Sequence, residues 1–309
     1  MLQFQPVGFG QRVVETALGA MAYYTPTTAP WVSQESAENP PLVFLHSLGG
    51  GSSAYEWSQV YPAFAADYWV IAPDLIGWGQ SAHPVHDYRA EDYFEAIAVL
   101  LAKVAQQPAV VAATSLTAAI AIRLAIRRPE LFSGLFLVSP SGYEDFGNGY
   151  QQGIAARLAG TPGLDNLIYS LGAANEGAIA NFMSTFLFAK PERISPEMIA
   201  AYLASATQRH AEYAALASLK GALCCDLSRY MSQLQVPTVF VWGQESRFNP
   251  PEIGQRLAAL SPAVAKPIQV IPETGVLPHL EQPALVINLL QQSLSGLFAN
   301  ELYEGATSG

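Results

Sequence analysis

Val110-Val-Ala-Ala-Thr-Ser-Leu-Thr-Ala-Ala119 is the stretch on which the fold turns. Its opening residues are apolar and small or β-branched, which suits a short buried strand. From Leu116 to Arg128 the residues are good helix formers, and Pro129 stops the run. A strand that turns sharply into a helix at a serine has the layout of a nucleophile elbow, where the serine is held exposed at a strained turn. Strand and helix nearly touch there, so small residues are wanted two before and two after the serine. Ala113 fits; Thr117, being β-branched, does not fit well. The same pattern also reads as a serine capping a helix N-terminus, a common role.

Outward from the elbow, apolar runs of strand length alternate with longer helical patterns. This predicts a mostly parallel sheet with crossover helices. Strands are expected near Gln11–Ala17, Met21–Thr25, Leu42–His46, Tyr68–Ala72, Val110–Ala113, Leu135–Val138, Thr238–Trp242 and Pro267–Ile271. Helices are expected over Glu91–Ala105, with Phe94, Ile97, Leu100, Leu101 and Val104 on one stripe, over Glu252–Leu260, and around Leu280–Phe298. Residues 141–227 show no clear buried strand. They are glycine-rich at first, then helical and aromatic, and read as a helical insertion covering the Ser115 end of the sheet. The polar tail 301–309 is expected to fray.

The chain has 309 residues, so a count of about 150 per domain gives two domains, or one large α/β domain with an insertion. Half of the residues are hydrophobic and 13% are charged, which excludes intrinsic disorder. The formal net charge of −10 opposes binding to nucleic-acid phosphates or an anionic membrane. Cys224 and Cys225 are adjacent and cannot form a disulfide framework; they read as small hydrophobes rather than nucleophiles. No CxxC or HExxH pair points to a metal, and no cofactor is expected. The most apolar window, Ala109 to Ile122, is too short to span a bilayer and is ended by Arg123. The start of the chain shows no signal-peptide pattern, so a cytoplasmic protein is expected.

Two more segments carry chemistry. Leu42-Val-Phe-Leu-His-Ser-Leu-Gly-Gly-Gly51 ends a strand in a glycine-rich loop that can aim a backbone N–H at a developing oxyanion; the donors are expected to be the amides of Leu48 and Leu116. His46 reads better as a structural loop histidine than as a catalytic one. Together with Ser47, Phe182 and Phe186 it is expected beside an apolar small-molecule pocket between insertion and sheet. Asp74-Leu-Ile-Gly-Trp-Gly-Gln-Ser81 follows the next strand, and its glycines allow a tight reversal.

In this order the three segments resemble the α/β-hydrolase superfamily: a strand with an H-G loop, a D-x-x-G-x-G-x-S loop, and the elbow. Val236-Pro-Thr-Val-Phe-Val-Trp-Gly243 resembles the strand before that family's acid loop, and Gly275-Val-Leu-Pro-His-Leu-Glu-Gln-Pro283 its histidine loop. The resemblance runs from about Val13 to Leu297. It implies an eight-stranded, mostly parallel sheet with helices on both faces and a helical cap after strand six. It also implies a Ser–acid–His triad acting on an ester-type substrate.

The residues depart from that pattern where the chemistry lies. The resemblance puts the nucleophile at Ser115, but W-G-x-x-D reads Trp242-Gly-Gln-Glu-Ser246, leaving Ser246 at the acid position. G-H-x-P-H reads Gly275-Val-Leu-Pro-His279, leaving Val276 at the base position. H-G reads His46-Ser47, and the second elbow glycine is Thr117. A serine hydroxyl is a poor nucleophile without a base to take its proton, and Val276 takes none. One rescue is a shifted loop that brings His279 to Ser115, with an acid from Glu245, Glu144 or Asp145. Against it, His279 reads as the structural second histidine of its loop, Glu144 and Asp145 as a solvated loop edge, and Glu281 as a cap of the last helix. Three functions stay open: an impaired or altered serine hydrolase, a non-catalytic protein that binds a small apolar molecule or a partner protein, and a hydrolase with its base relocated to His279. The oligomeric state is left open.

Overall fold

Eight strands form one sheet, because nearly every apolar run of strand length finds a neighbour of the same kind. The computed structural model describes residues 4–31, 39–147, 169 and 174–298. The strands are β1 (Phe9–Thr16), β2 (Gly19–Pro26), β3 (Pro41–Leu45), β4 (Trp69–Pro73), β5 (Ala109–Thr114), β6 (Phe132–Val138), β7 (Thr238–Gly243) and β8 (Gln269–Ile271). Their order across the sheet is β1-β2-β4-β3-β5-β6-β7-β8. β2 pairs antiparallel with β1 and with β4, and every pairing from β4 through β8 is parallel. The eight-stranded, mostly parallel sheet expected from the sequence is therefore present.

β5 lies between β3 and β6 with all six residues buried, so it reads as a continuous apolar run instead of an alternating one. One face of the sheet is covered by α1 (Ala90–Leu100) and α2 (Ser115–Arg127), through Phe94, Ile97, Ile120 and Leu124 among others. On the other face Val286, Leu290, Leu294 and Leu297 pack against Phe44, Val110 and Phe136. The expected last helix is broken in two. Gln282 leaves the helical region before Pro283, as residues preceding proline tend to do, and separates Pro278–Glu281 from Pro283–Phe298.

The inserted segment contributes α3 (Glu176–Phe182), α4 (Pro196–Ala206) and α5 (Ala211–Leu219). Asn175 and Ser195 cap the first two, accepting from the amides of Ala178 and Met198. Apolar residues of this segment, such as Ile179, Met183, Phe188 and Met198, form a third cluster with Tyr55, Val276 and Leu280 of the sheet-side loops. Within the expected insertion, residues 148–168 and 170–173 lie outside the described residues, as does the tail 301–309. The helices that follow β7 and β8 are α6 (Pro251–Ala259), α7 (Pro278–Glu281) and α8 (Pro283–Phe298).

The turn after β4 is locked from below. Asp74 is fully buried and accepts from the amides of Ala54 (2.7 Å) and Gln80 (2.8 Å) and from the Tyr24 hydroxyl (3.1 Å). Burial pushes its carboxyl up to about 6, against those three donors. Gly79 has φ +54°, and a Cβ there would lie 2.2 Å from the Asp74 carboxylate. Gly79→Ala is therefore expected to destabilise the fold by at least about 2 kcal/mol, combining a left-handed backbone with a clash against a buried anion. A urea midpoint within experimental error of the wild type would contradict this account of the turn.

Candidate functional site

Ser115 sits at the junction of β5 and α2 with φ +53°, the strained turn expected of an elbow. Its carbonyl accepts from the Ser141 amide (3.2 Å), which hooks the loop after β6 to the turn. Ser141 Oγ in turn accepts from the amide of Tyr143, itself left-handed at φ +62°. This loop carries the Tyr143 hydroxyl to 3.0 Å from Ser115 Oγ. The Leu116 amide lies in the first turn of α2, where a helix has no internal acceptor for it.

These groups open on a cavity of about 410 Å³, within the usual range for small-molecule sites. Ser47, Leu48, Ser115, Leu116 and Tyr143 line it from the sheet side, and Ile179, Phe182, Phe186 and Tyr202 from the inserted helices. Val276 closes another part of the wall. At the rim Phe186 stacks on Phe248 (5.5 Å between centroids), and Phe248 meets Tyr143 edge-on. The cavity thus gathers Ser115, Leu48, Leu116, Ser47, Phe182, Phe186 and Val276. His46, Ser246 and His279 are not among its lining residues.

His46 is a correction to the pocket assignment. It is fully buried, and its Nε2 accepts from the Leu75 amide (2.9 Å), so Nδ1 carries the hydrogen and donates to the Ser47 carbonyl (2.5 Å). Burial lowers its pKa to about 4. Both ring nitrogens serve the backbone, which is the structural role also considered for it.

His279 corrects the relocated-base expectation. Its ring is fully buried and stacked on Trp57, with centroids 4.1 Å apart and 16° between planes. Neither nitrogen has a hydrogen-bond partner among the described residues, and burial lowers its pKa to about 3. The ring supports the indole and does not reach Ser115 Oγ. Ser246 is buried with its hydroxyl unpartnered among the described residues, while Glu245 beside it is exposed. The two loops nevertheless lie together: the Glu245 amide donates to the Thr274 carbonyl (2.9 Å), and the Val276 amide to Leu187 (2.9 Å).

Two buried carboxylates are also reassigned, and a third is added. Glu281 does not cap the last helix. It accepts from the amides of Ala189 (2.8 Å), Lys190 (3.0 Å) and Gly275, tying the inserted segment to the Val276 loop. Asp145 is not a solvated loop edge; it is buried and accepts from the amides of Gly142 and Leu227, both at 2.9 Å. Glu56, which the sequence left unremarked, accepts from the Ser47 amide and hydroxyl (both 2.7 Å) and from the Tyr202 hydroxyl (2.9 Å). Burial raises the carboxyls of all three above the usual range, against their hydrogen bonds. Tyr143 was likewise missed as a site residue. The available signals were an acid inside Ala54-Tyr-Glu-Trp57 and a tyrosine just past strand six.

Chemically, the site has hydrogen-bond donors at Ser115 and no base facing it among the described residues. The thiols of Cys224 and Cys225 are pushed up by burial to about 12 and about 11, away from nucleophilic use. No group of three or more His, Cys, Asp or Glu among the described residues is placed to hold a metal. No described helix is long and apolar enough to cross a membrane.

Comparison with known proteins places this geometry. Residues 42–289 match the profile of the alpha/beta hydrolase family. A haloalkane dehalogenase of Mesorhizobium japonicum is 33% identical over 135 residues, 42% of this chain and 43% of that protein; the chain thus spans less than half of that relative. YugF, an uncharacterized hydrolase of Bacillus subtilis, is 27% identical over 261 residues, 82% of this chain and 91% of that one. Carboxylesterase CesB of Bacillus subtilis superimposes with a TM-score of 0.72 at 17% identity, covering 96% of this chain and 94% of that chain, which speaks for the fold.

The buried imidazole of His279 gives this site a test by pH. An unfolded histidine titrates near 6.5, and the folded one stays neutral down to about 3. Between those values the unfolded chain binds the extra proton, so acid favours unfolding through this residue. His279→Phe, which keeps a ring on Trp57, is expected to remove roughly 2–4 kcal/mol of the stability the wild type loses on going from about pH 7 to about pH 4. Parallel urea midpoints for the two proteins across that range would contradict a neutral, sequestered His279.

Proposed function

The chain belongs to the alpha/beta hydrolase family, and on that premise we propose that it binds a small, rather apolar molecule at Ser115 and does not work as a triad hydrolase. The observation that carries this reading is the environment of the serine. Its hydroxyl pairs with the Tyr143 hydroxyl at 3.0 Å, and the cavity wall at the base position is Val276. A phenol, with a reference pKa of about 10, shares a hydrogen bond at neutral pH and does not take the proton of an attacking serine.

What the site keeps is recognition. The amides of Leu48 and Leu116, on residues that line the cavity, offer donors to a ligand oxygen. The aromatic and aliphatic side chains of the inserted helices bury an apolar body, at about 25 cal/mol per Å² of apolar surface removed from water. A second reading, slow hydrolysis of an ester-type substrate, is favoured by the elbow and its donors, since such donors retain a small part of a triad's acceleration. The stacking of His279 on Trp57 weighs against the relocated-base reading.

Turnover of para-nitrophenyl acetate by the wild type is expected near background, with Ser115 unlabelled by a fluorophosphonate probe. Val276→His together with Ser246→Asp is expected to raise turnover by at least about tenfold. The pair should exceed the product of the single effects, because the acid acts by orienting the histidine. Brisk wild-type turnover that survives His279→Ala would refute the proposal, since an unrecognised base would then serve Ser115.

A further inference from the structure

Ser47 lines the cavity one residue before Leu48, and its hydroxyl is part of a closed polar network. Its Oγ lies 2.7 Å from Glu56 Oε1 and 2.8 Å from Ser52 Oγ. Glu56 Oε1 also accepts from the Tyr202 hydroxyl, and Oε2 from the Ser47 amide. Ser52 Oγ accepts from the Gly49 amide (3.1 Å), and the Ser52 carbonyl from Ser205 Oγ (2.9 Å), which joins α4 to the loop. Glu56 itself has no exposed surface.

The network settles what Ser47 offers to a ligand. With Glu56 ionised, the Ser47 hydrogen goes to the carboxylate, and Ser52 donates to Ser47 or to the same carboxylate. With Glu56 protonated on Oε1, the acid donates to Ser47 and the Ser47 hydrogen passes to Ser52. In both forms the hydrogen is spent inside the network and at least one lone pair of Ser47 Oγ is left over. An ionised Glu56 strengthens that lone pair by polarising the hydroxyl. Two other polar groups on the cavity behave oppositely: the amides of Leu48 and Leu116 donate only.

We infer that Ser47, positioned by Glu56, is a specificity-determining acceptor, and that the ligand carries a hydroxyl or N–H group as well as a carbonyl-type oxygen on its apolar frame. This rests on the cavity being the ligand site, as proposed above. Glu56 is a positioning residue here, since it acts on the ligand only through Ser47.

Calorimetric titration of the full chain with benzylacetone, its para-hydroxy derivative and its para-methoxy derivative tests the inference. All three share the ketone, and one has a donor. The para-hydroxy compound is expected to bind about tenfold more tightly than the para-methoxy one, a difference of about 1.4 kcal/mol. Ser47→Ala should abolish that preference, bringing the para-hydroxy and para-methoxy affinities within about twofold of each other. Glu56→Gln should reduce the preference at least about threefold, whereas mere loosening of the loop weakens all three compounds alike. Equal wild-type affinities, or a preference that survives Ser47→Ala, would overturn the inference and leave the proposed function standing. No binding of any of the three overturns both.

Discussion

Loops that leave the C-terminal ends of parallel strands carry backbone amides away from water, and each buried amide needs an acceptor. In this protein buried carboxylates supply many of them. Asp74 holds the turn after β4 and the start of the Ala54–Trp57 turn, Asp145 holds the loop after β6 against Leu227, and Glu281 holds the Val276 loop against residues 189–190. Glu56 does the same for Ser47 and adds Tyr202 from α4. An unpaired carboxylate in such places would be strongly destabilising, so each anchor and its amides stand or fall together. The cavity exists because these loops cannot collapse into it.

That scaffolding holds the Ser115 turn without help from the side chains at the acid and base positions. The elbow is set by β5, α2 and the Ser141–Ser115 backbone bond, none of which involves an acid or a histidine. Val276 is presented by a loop that Glu281 and Leu187 clamp, so its backbone position is independent of the side chain it carries. His279 has no polar partner among the described residues and stands as an aromatic plate against Trp57. Catalytic side chains are thus separable from the framework that would aim them.

Along the chain, the local patterns of Val110–Ala119, Asp74–Ser81 and Val236–Gly243 were enough to place the strands, the elbow and the parallel sheet, because period, length and glycine spacing are properties of neighbouring residues. That Val276 carries no proton acceptor was legible for the same reason: the chemistry of a side chain does not depend on its surroundings. The roles of Glu281, Asp145 and His46 were not legible, and Tyr143 and Glu56 passed unnoticed. Whether a carboxyl is a solvated edge or a buried anchor depends on amides up to 92 residues away, as between Glu281 and Ala189. Whether His279 meets a serine or an indole depends on Trp57, more than two hundred residues earlier in the sequence. The sequence by itself determined the elements and the chemistry of each side chain, Val276 with no proton acceptor among them, whereas the tertiary structure alone decided which polar groups meet, because burial and hydrogen bonding are set by contacts between segments that no local pattern encodes.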